Sequence, residues 1–394
     1  MRIGIDCLRI DPSFVGGLNT YTLGLLDGFA AAGNGHQFEL YVSRLNHHLF
    51  SKFADRKGFE LVVVDSQFQE VRSTLCRAIL LSRSPKLYEL VSNLAFRNLR
   101  AMMDASSDII YTPAVVLQSF NSRKPTVLSM HDIQHVHYPQ FFDWSRRLGR
   151  KITYALSARH ADYFHASSHF VRCDLMMHFP EIRPERIEVI PGGVNVAELS
   201  ARIDPAVSLE QYILPDRFLL YPAQLWPHKN HITVLRALKR IEERDGLQIP
   251  LVMTGARYSA ASQVLRFIAE ESMNYVFYLG KVPFRDLVAL YQRAAFLLMP
   301  TLYEASSLPV LEAAAAGTPI IASRTPPNEE LGEVLQMNLF HPLDVEALSR
   351  LILDLWKDRT TPSSQAAYNR ENIAFYSWEN TARKYLQLFA RIVN

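Results

Sequence analysis

The chain has 394 residues, 48% hydrophobic and 21% charged, with a formal net charge of +3, so it is long enough for two domains with separate cores and too weakly basic for nucleic acid to be an expected partner. No run approaches the roughly 18 apolar residues of a transmembrane helix, and Asp6 and Asp11 interrupt what would be the apolar core of a signal peptide. Three cysteines, Cys7, Cys76 and Cys173, without Cys-x-x-Cys spacing, point to a reducing, cytoplasmic setting and away from a disulfide framework or a zinc site.

Arg2 to Cys7 reads as a first strand, and a loop with Gly16 and Gly17 leads into a helical pattern beginning at Thr20. Glycines at a helix N-terminus let backbone approach a phosphate or sugar closely, although this pair is not a Gly-x-Gly-x-x-Gly dinucleotide fingerprint. Further strands are expected at Phe38–Val42, Leu61–Val64, Asp108–Tyr111 and Thr126–Met130, separated by helical stretches. That alternation predicts a parallel, doubly wound sheet. The last of these strands runs into His131, Asp132, His135 and His137, a run without the firm spacing and the carboxylate or thiolate company usual for metal ligands, so no metal is expected there. Trp144 to Arg159 sets Arg146, Arg147, Arg150 and Lys151 beside Leu148, Ile152, Ala155 and Leu156. Such a stretch fits either a charged surface helix or a helix resting on anionic lipid. Ala161–Ala166 and Ile187–Pro191 read as the last strands of a first domain, and Asn195–Pro215 as a linker.

The second half repeats the alternation. Phe218–Pro222 is a strand, Ala223 to Asn230 a loop carrying Gln224 and Lys229, and a helix is expected from about His231. Strands follow at Leu251–Gly255, Val276–Gly280 and Phe296–Pro300, and helices at Val345–Lys357 and Trp378–Ile392. The richest stretch is Ala294 to Ser323, where an apolar run stops at Pro300, Pro309 opens an Ala-rich helix, Gly317 closes it and Ile320 begins another strand. Glu304 falls in the loop at a strand's carboxyl end, where open α/β sheets bind ligands, and Glu312 interrupts the apolar helix. Backbone N–H groups of Ser306, Ser307 and Leu308 fall at that helix's N-terminus, a position that favours an anion. Two carboxylates that can each take vicinal hydroxyls beside an anion site suit a nucleotide sugar.

The segment Glu304-Ala-Ser-Ser-Leu-Pro-Val-Leu-Glu312, followed by Ala-Ala-Ala-Ala-Gly-Thr-Pro, resembles the Glu-x7-Glu signature of family 4 retaining glycosyltransferases with the GT-B fold. The likeness runs from Met1 to about Ser377-Trp378-Glu379, and is greatest to bacterial mannosyltransferases of O-antigen and other surface polysaccharides. It implies two Rossmann-like domains facing across a cleft, residues 1–194 binding acceptor and residues 195–377 binding the nucleotide sugar, with 378–394 a helix crossing back to the first domain. By the same resemblance His131 contacts the donor hexose with support from Asp132, Gly16 and Gly17 face the donor phosphates and the acceptor, Lys229 holds the phosphates, Glu304 the hexose C3 and C4 hydroxyls, and Glu312 the ribose. Many relatives carry Gly-Arg where this chain has Ala223-Gln224, so Gln224 supplies hydrogen bonds but no charge.

No Asp-x-Asp occurs in the chain. The expectation is metal-independent transfer of a hexose, mannose from GDP-mannose, to a saccharide hydroxyl with anomeric configuration retained, requiring no cofactor beyond the nucleotide-sugar substrate. A lipid-linked acceptor would add peripheral contact with the inner membrane. Transfer from UDP-glucose or UDP-N-acetylglucosamine, and a non-catalytic GT-B subunit that binds glycan or a partner enzyme, remain open as alternatives.

Overall fold

Short runs of apolar residues, most deeply buried in the central strands, alternate with amphipathic helices and build two all-parallel sheets. The computed structural model describes residues 1–13, 16–64, 83–204, 208–358 and 360–394, the side chains of 360 and 361 excepted; Cys76 lies outside the described residues. The chain divides into two units, Met1–Gly193 with Trp378–Asn394, and Val194–Ser377.

The first unit holds seven strands, β1 (Arg2–Asp6), β2 (Gln37–Ser43), β3 (Phe59–Val64), β4 (Ile109–Thr112), β5 (Thr126–Ser129), β6 (Tyr163–Ala166) and β7 (Ile187–Val189), in the order β3-β2-β1-β4-β5-β6-β7. β1 pairs in parallel with both β2 and β4, Ile3 lying opposite Phe38 on one side and Ile109 on the other. Every residue of β4 and β5 is buried, as a parallel sheet covered on both faces requires. Because the strand order reverses between β1 and β4, the crevice at their carboxyl ends is a topological switch point.

Helix Trp378–Val393 packs on helix Gly17–Ala32 in this unit. Gly24 and Gly28, one turn apart, make the notch: a Cβ on Gly24 would lie 2.1 Å from the Trp378 ring, and one on Gly28 2.2 Å from the Trp378 carbonyl oxygen. A buried polar set adds specificity beneath it. Tyr21 and Tyr385 hydroxyls are 2.8 Å apart, Tyr111 reaches the Ser129 hydroxyl at 2.8 Å, and His165 Nδ1 meets the same hydroxyl at 3.0 Å. His165 Nε2 lies 2.8 Å from the Ile190 carbonyl, so that nitrogen carries the proton. Burial pushes the ring down to about 3 and keeps it neutral.

The second unit holds β8 (Leu219–Pro222), β9 (Leu251–Thr254), β10 (Val276–Tyr278), β11 (Phe296–Met299), β12 (Ile320–Ser323) and β13 (Asn338–Phe340), in the order β10-β9-β8-β11-β12-β13. Its switch point falls between β8 and β11. β13 is too short and too polar at its start to stand out in the sequence, and it is a strand because Ala322 and Ser323 of β12 offer it a partner edge. The described residues of the expected linker are also more ordered than its weak periodicity suggests. Helix Val196–Ser200 occupies its start, and Leu199 and Leu209 are buried in the second unit's core. In the first unit the helix expected from Thr20 begins at Gly17.

Candidate active site

The loops that follow β8 and β11 meet at the second unit's switch point. After β8 the chain runs through the turn Pro227–Lys229 and through Asn230, a left-handed residue (φ 58°, ψ 39°), into helix His231–Asp245. Asn230 tolerates that conformation better than most residues, and its side-chain amide ties the turn to β11 by donating to the Pro300 carbonyl at 2.9 Å and to Pro342 at 2.7 Å. Leu302 N–H donates to the His228 carbonyl at 2.8 Å, and the Tyr221 hydroxyl donates to the Lys229 carbonyl. Held this way, Lys229 Nζ lies 2.7 Å from Glu304 Oε1, both side chains largely withdrawn from solvent. Its histidine neighbours are neutral: burial lowers His228 well below the usual imidazole value and takes His231 down to about 3, with the Lys229 charge acting in the same direction. Among the described residues, Lys229 is the cation paired with Glu304 in this corner.

Glu304 leads into helix Leu308–Ala316, whose N-cap is Ser307 and whose end is set by Gly317 at φ 75°. Among the described residues, no carbonyl accepts from the N–H groups of Ser306, Ser307 or Leu308, and the buried Ser307 hydroxyl finds no partner. Orphan donors at a helix N-terminus are the elements of an anion site. Glu312, two turns of chain later, is half-buried and accepts from the Tyr291 hydroxyl at 2.8 Å. Burial raises its carboxyl above the ordinary glutamate value, and the Tyr291 hydrogen bond pulls it back. The structure thus brings Lys229 to Glu304, while Glu312 belongs to a separate hydrogen-bonded pair.

Gln224 Oε1 accepts from Trp226 Nε1 at 3.0 Å, which turns the amide nitrogen into its remaining donor. Trp226 in turn stacks on Tyr258 at 4.1 Å. Leu225 bridges to Arg257 in the loop after β9, where Gly255 (φ 127°) is obligatory because a Cβ would lie 2.5 Å from the Ala223 carbonyl oxygen. Arg257, Tyr258, Tyr278 and Lys281 line a cleft of about 480 Å³. Arg257 and Lys281 are exposed, and Arg257 lies over the Tyr278 ring at 5.5 Å. In the sequence Arg257 reads only as part of an unspecific strand-end loop, two residues after the Gly255 that closes β9.

In the first unit, Gly16 caps helix Gly17–Ala32 in an extended conformation, and a Cβ at Gly17 would meet nothing within 4 Å among the described residues. His131 follows β5, its ring set edge-on against Tyr21 at 4.6 Å and against His165 at 5.6 Å. Nε2 is 3.0 Å from the Pro113 carbonyl just past β4, so it is the protonated nitrogen and Nδ1 is an acceptor. Burial lowers the ring's pKa and keeps it neutral. Asp132 does not bond His131; its carboxylate accepts from Gln134 N–H at 3.1 Å and faces Arg150 at 3.8 Å. Helix Trp144–His160 spends its apolar side on its own core, with Ile152, Tyr154 and Leu156 buried, which leaves Trp144, Arg146, Arg147 and Lys151 outside. No helix among the described residues is long and apolar enough to cross a membrane.

Two doubly wound parallel sheets with ligand-type loops at their switch points have the GT-B glycosyltransferase fold. The structure of Anabaena HepE in complex with UDP and glucose matches with a TM-score of 0.75 over 99% of this chain and 100% of that one, at 16% identity. The family model for Glycosyltransferase Family 4 matches residues 15–198, and that for Glycosyl transferases group 1 matches residues 211–372; the chain belongs to this glycosyltransferase family. Among its relatives, O-antigen chain mannosyltransferase B of Escherichia coli is 31% identical over 166 residues, 41% of this chain and 43% of that protein. Serotype-specific mannosyltransferase WbdA, also of Escherichia coli, is 27% identical over 190 residues, 47% of this chain and 23% of that protein. The chain thus matches less than half the length of either relative.

Proposed function

We propose that the chain is a retaining, metal-independent glycosyltransferase that moves mannose from GDP-mannose to a saccharide hydroxyl in surface polysaccharide or O-antigen synthesis. The observation that carries this reading is the Lys229–Glu304 pair at the β8/β11 switch point, next to the unpartnered N–H groups of Ser306, Ser307 and Leu308. A fixed cation and a helix N-terminus stabilise the charge that develops on a departing nucleoside diphosphate. Glu304 takes the hexose C3 and C4 hydroxyls once the phosphates share the Lys229 charge, and Glu312, held by Tyr291, takes the ribose. Gln224 donates to a phosphate, with Arg257 supplying the charge that Gln224 lacks. In the first unit, His131 Nδ1 accepts from a hexose hydroxyl, and the Gly16–Gly17 loop admits phosphate or acceptor.

Transfer proceeds on one face of the sugar. The bond from C1 to the leaving phosphate oxygen breaks, the acceptor oxygen bonds to C1 from the same side, and the acceptor's proton passes to the departing phosphate. No protein nucleophile is needed, and Glu304 stays a binding group. The mannosyl assignment is supported by the E. coli relatives named above. A UDP-sugar donor is the second reading, favoured by the UDP and glucose held by the Anabaena protein. The proposed setting is the cytoplasm, with Arg146, Arg147 and Lys151 giving an electrostatic contact to anionic lipid.

Thermal-shift titration with GDP, GDP-mannose, UDP and UDP-glucose, with and without a chelator, separates these readings, because a ligand that binds only the native state raises its stability. Stabilisation selective for GDP and GDP-mannose, unchanged by chelator, is the expected result. A response to the uridine nucleotides alone transfers the proposal to a UDP-sugar, and no response to any of the four overturns it.

A further inference from the structure

Of the three histidines after β5, His131 faces Pro113 and His135 packs edge-on against Tyr154 at 5.0 Å. His137 points elsewhere: its Nε2 lies 2.8 Å from both carboxylate oxygens of Asp174, 37 residues away. Asp174 sits on helix His169–His178 and is only 6% exposed. His178 stands four residues on, hence on the same helix face, with Nε2 3.6 Å from Asp174 Oδ1. One ligand atom from each of the three residues falls within 4.8 Å of the other two.

We propose that His137, Asp174 and His178 bind a divalent transition-metal ion, zinc by ligand type, which clips the segment after β5 to the helix after β6. Two imidazole nitrogens and one carboxylate oxygen suit zinc and its neighbours, whereas magnesium and calcium require more oxygen ligands. With bonds of about 2.0–2.1 Å, the ligand atoms of a tetrahedral site lie roughly 3.3 Å apart, and the separations of 2.8 and 3.6 Å fall on either side of that value. The two histidine side chains are each 31% exposed, so the ion has an entry path and a water can complete the set. A nearly buried carboxylate between two imidazoles also gains a compensating charge from the ion. The clip braces the segment that begins at His131. It is structural, outside the transfer chemistry, and does not rest on the donor assignment.

Isothermal titration calorimetry with zinc chloride on the untagged full chain tests it. The expected result is one equivalent bound, little affected by excess magnesium, with affinity lowered on the order of tenfold or more in each of His178→Ala and His137→Gln. Zinc should also raise the melting temperature of the parent chain and leave that of the double variant unchanged, which controls for misfolding. A parent chain that takes up no zinc, or that binds it with the same stoichiometry and affinity as the double variant, overturns the proposal; a hydrogen-bonded His-Asp-His set predicts that result.

Discussion

Glu312 shows how one hydroxyl can set the state of a buried carboxylate. Its burial favours the neutral acid, and the Tyr291 hydroxyl opposes that by donating to the carboxylate at 2.8 Å. Tyr291→Phe removes the donor, so the carboxyl pKa should rise further, and a protonated Glu312 is a poorer acceptor for ribose hydroxyls. A hydrogen bond to a charged group is worth about 1.5–3 kcal/mol, which corresponds to a rise in donor KM of roughly 10- to 150-fold at most, with kcat little changed. The rise should grow as pH falls toward the raised carboxyl value, and steady-state kinetics as a function of pH measure it; a pH-independent change, or one in kcat alone, contradicts the role. Glu304 and Glu312 stand out in the sequence because a strand, a proline and a glycine frame them, and Lys229 through the family resemblance. Their partners do not. Tyr291 lies 21 residues before Glu312 and Lys229 lies 75 before Glu304, and no local pattern couples positions so far apart.

At the scale of elements, the central strands could be read directly, since a parallel strand buried on both faces is a short apolar run between turn residues. β13 and helix Val196–Ser200 could not, because tertiary neighbours rather than local periodicity decide them. The notch formed by Gly24 and Gly28 is a similar case: the glycines look like weak points in a helical pattern until Trp378 is placed over them. Gly28→Ala tests the notch. Alanine gains about 1 kcal/mol in helix propensity, but its methyl would meet the Trp378 carbonyl, and overpacking of this kind costs roughly 1–3 kcal/mol. A melting temperature lowered by a few degrees is expected. A raised one, the usual outcome for a glycine in an open helix, would show that the final helix does not seat there.

For the molecule as a whole, each unit carries its own core, and each buries neutral histidines. His165 in the first and His231 in the second are held down to about 3, His135 to about 4, and His131 and His228 are also lowered, in every case chiefly by burial. A folded-state pKa below the unfolded value means that the unfolded chain binds more protons between the two, so stability is full above about 6.5 and falls as pH drops toward the folded values. At pH 5, each such group with a folded value of 4 or less contributes a loss of up to about 2 kcal/mol. Asp6, raised to about 6, and Glu312, also raised, act in the opposite sense over part of that range, and the histidines outnumber them. Urea midpoints should therefore be flat above pH 7 and fall steadily from 6.5 to 5; a flat profile down to pH 5 contradicts the neutral buried histidines.

In the proposed reaction a fixed cation at the β8/β11 switch point drives departure of a nucleoside diphosphate. Release of GDP from GDP-mannose by the full chain, with a saccharide acceptor fraction and a chelator present, tests it most directly in the parent and in Lys229→Ala. A loss of on the order of 100-fold or more is expected in the variant, with circular dichroism unchanged. Equal release by both proteins would contradict it.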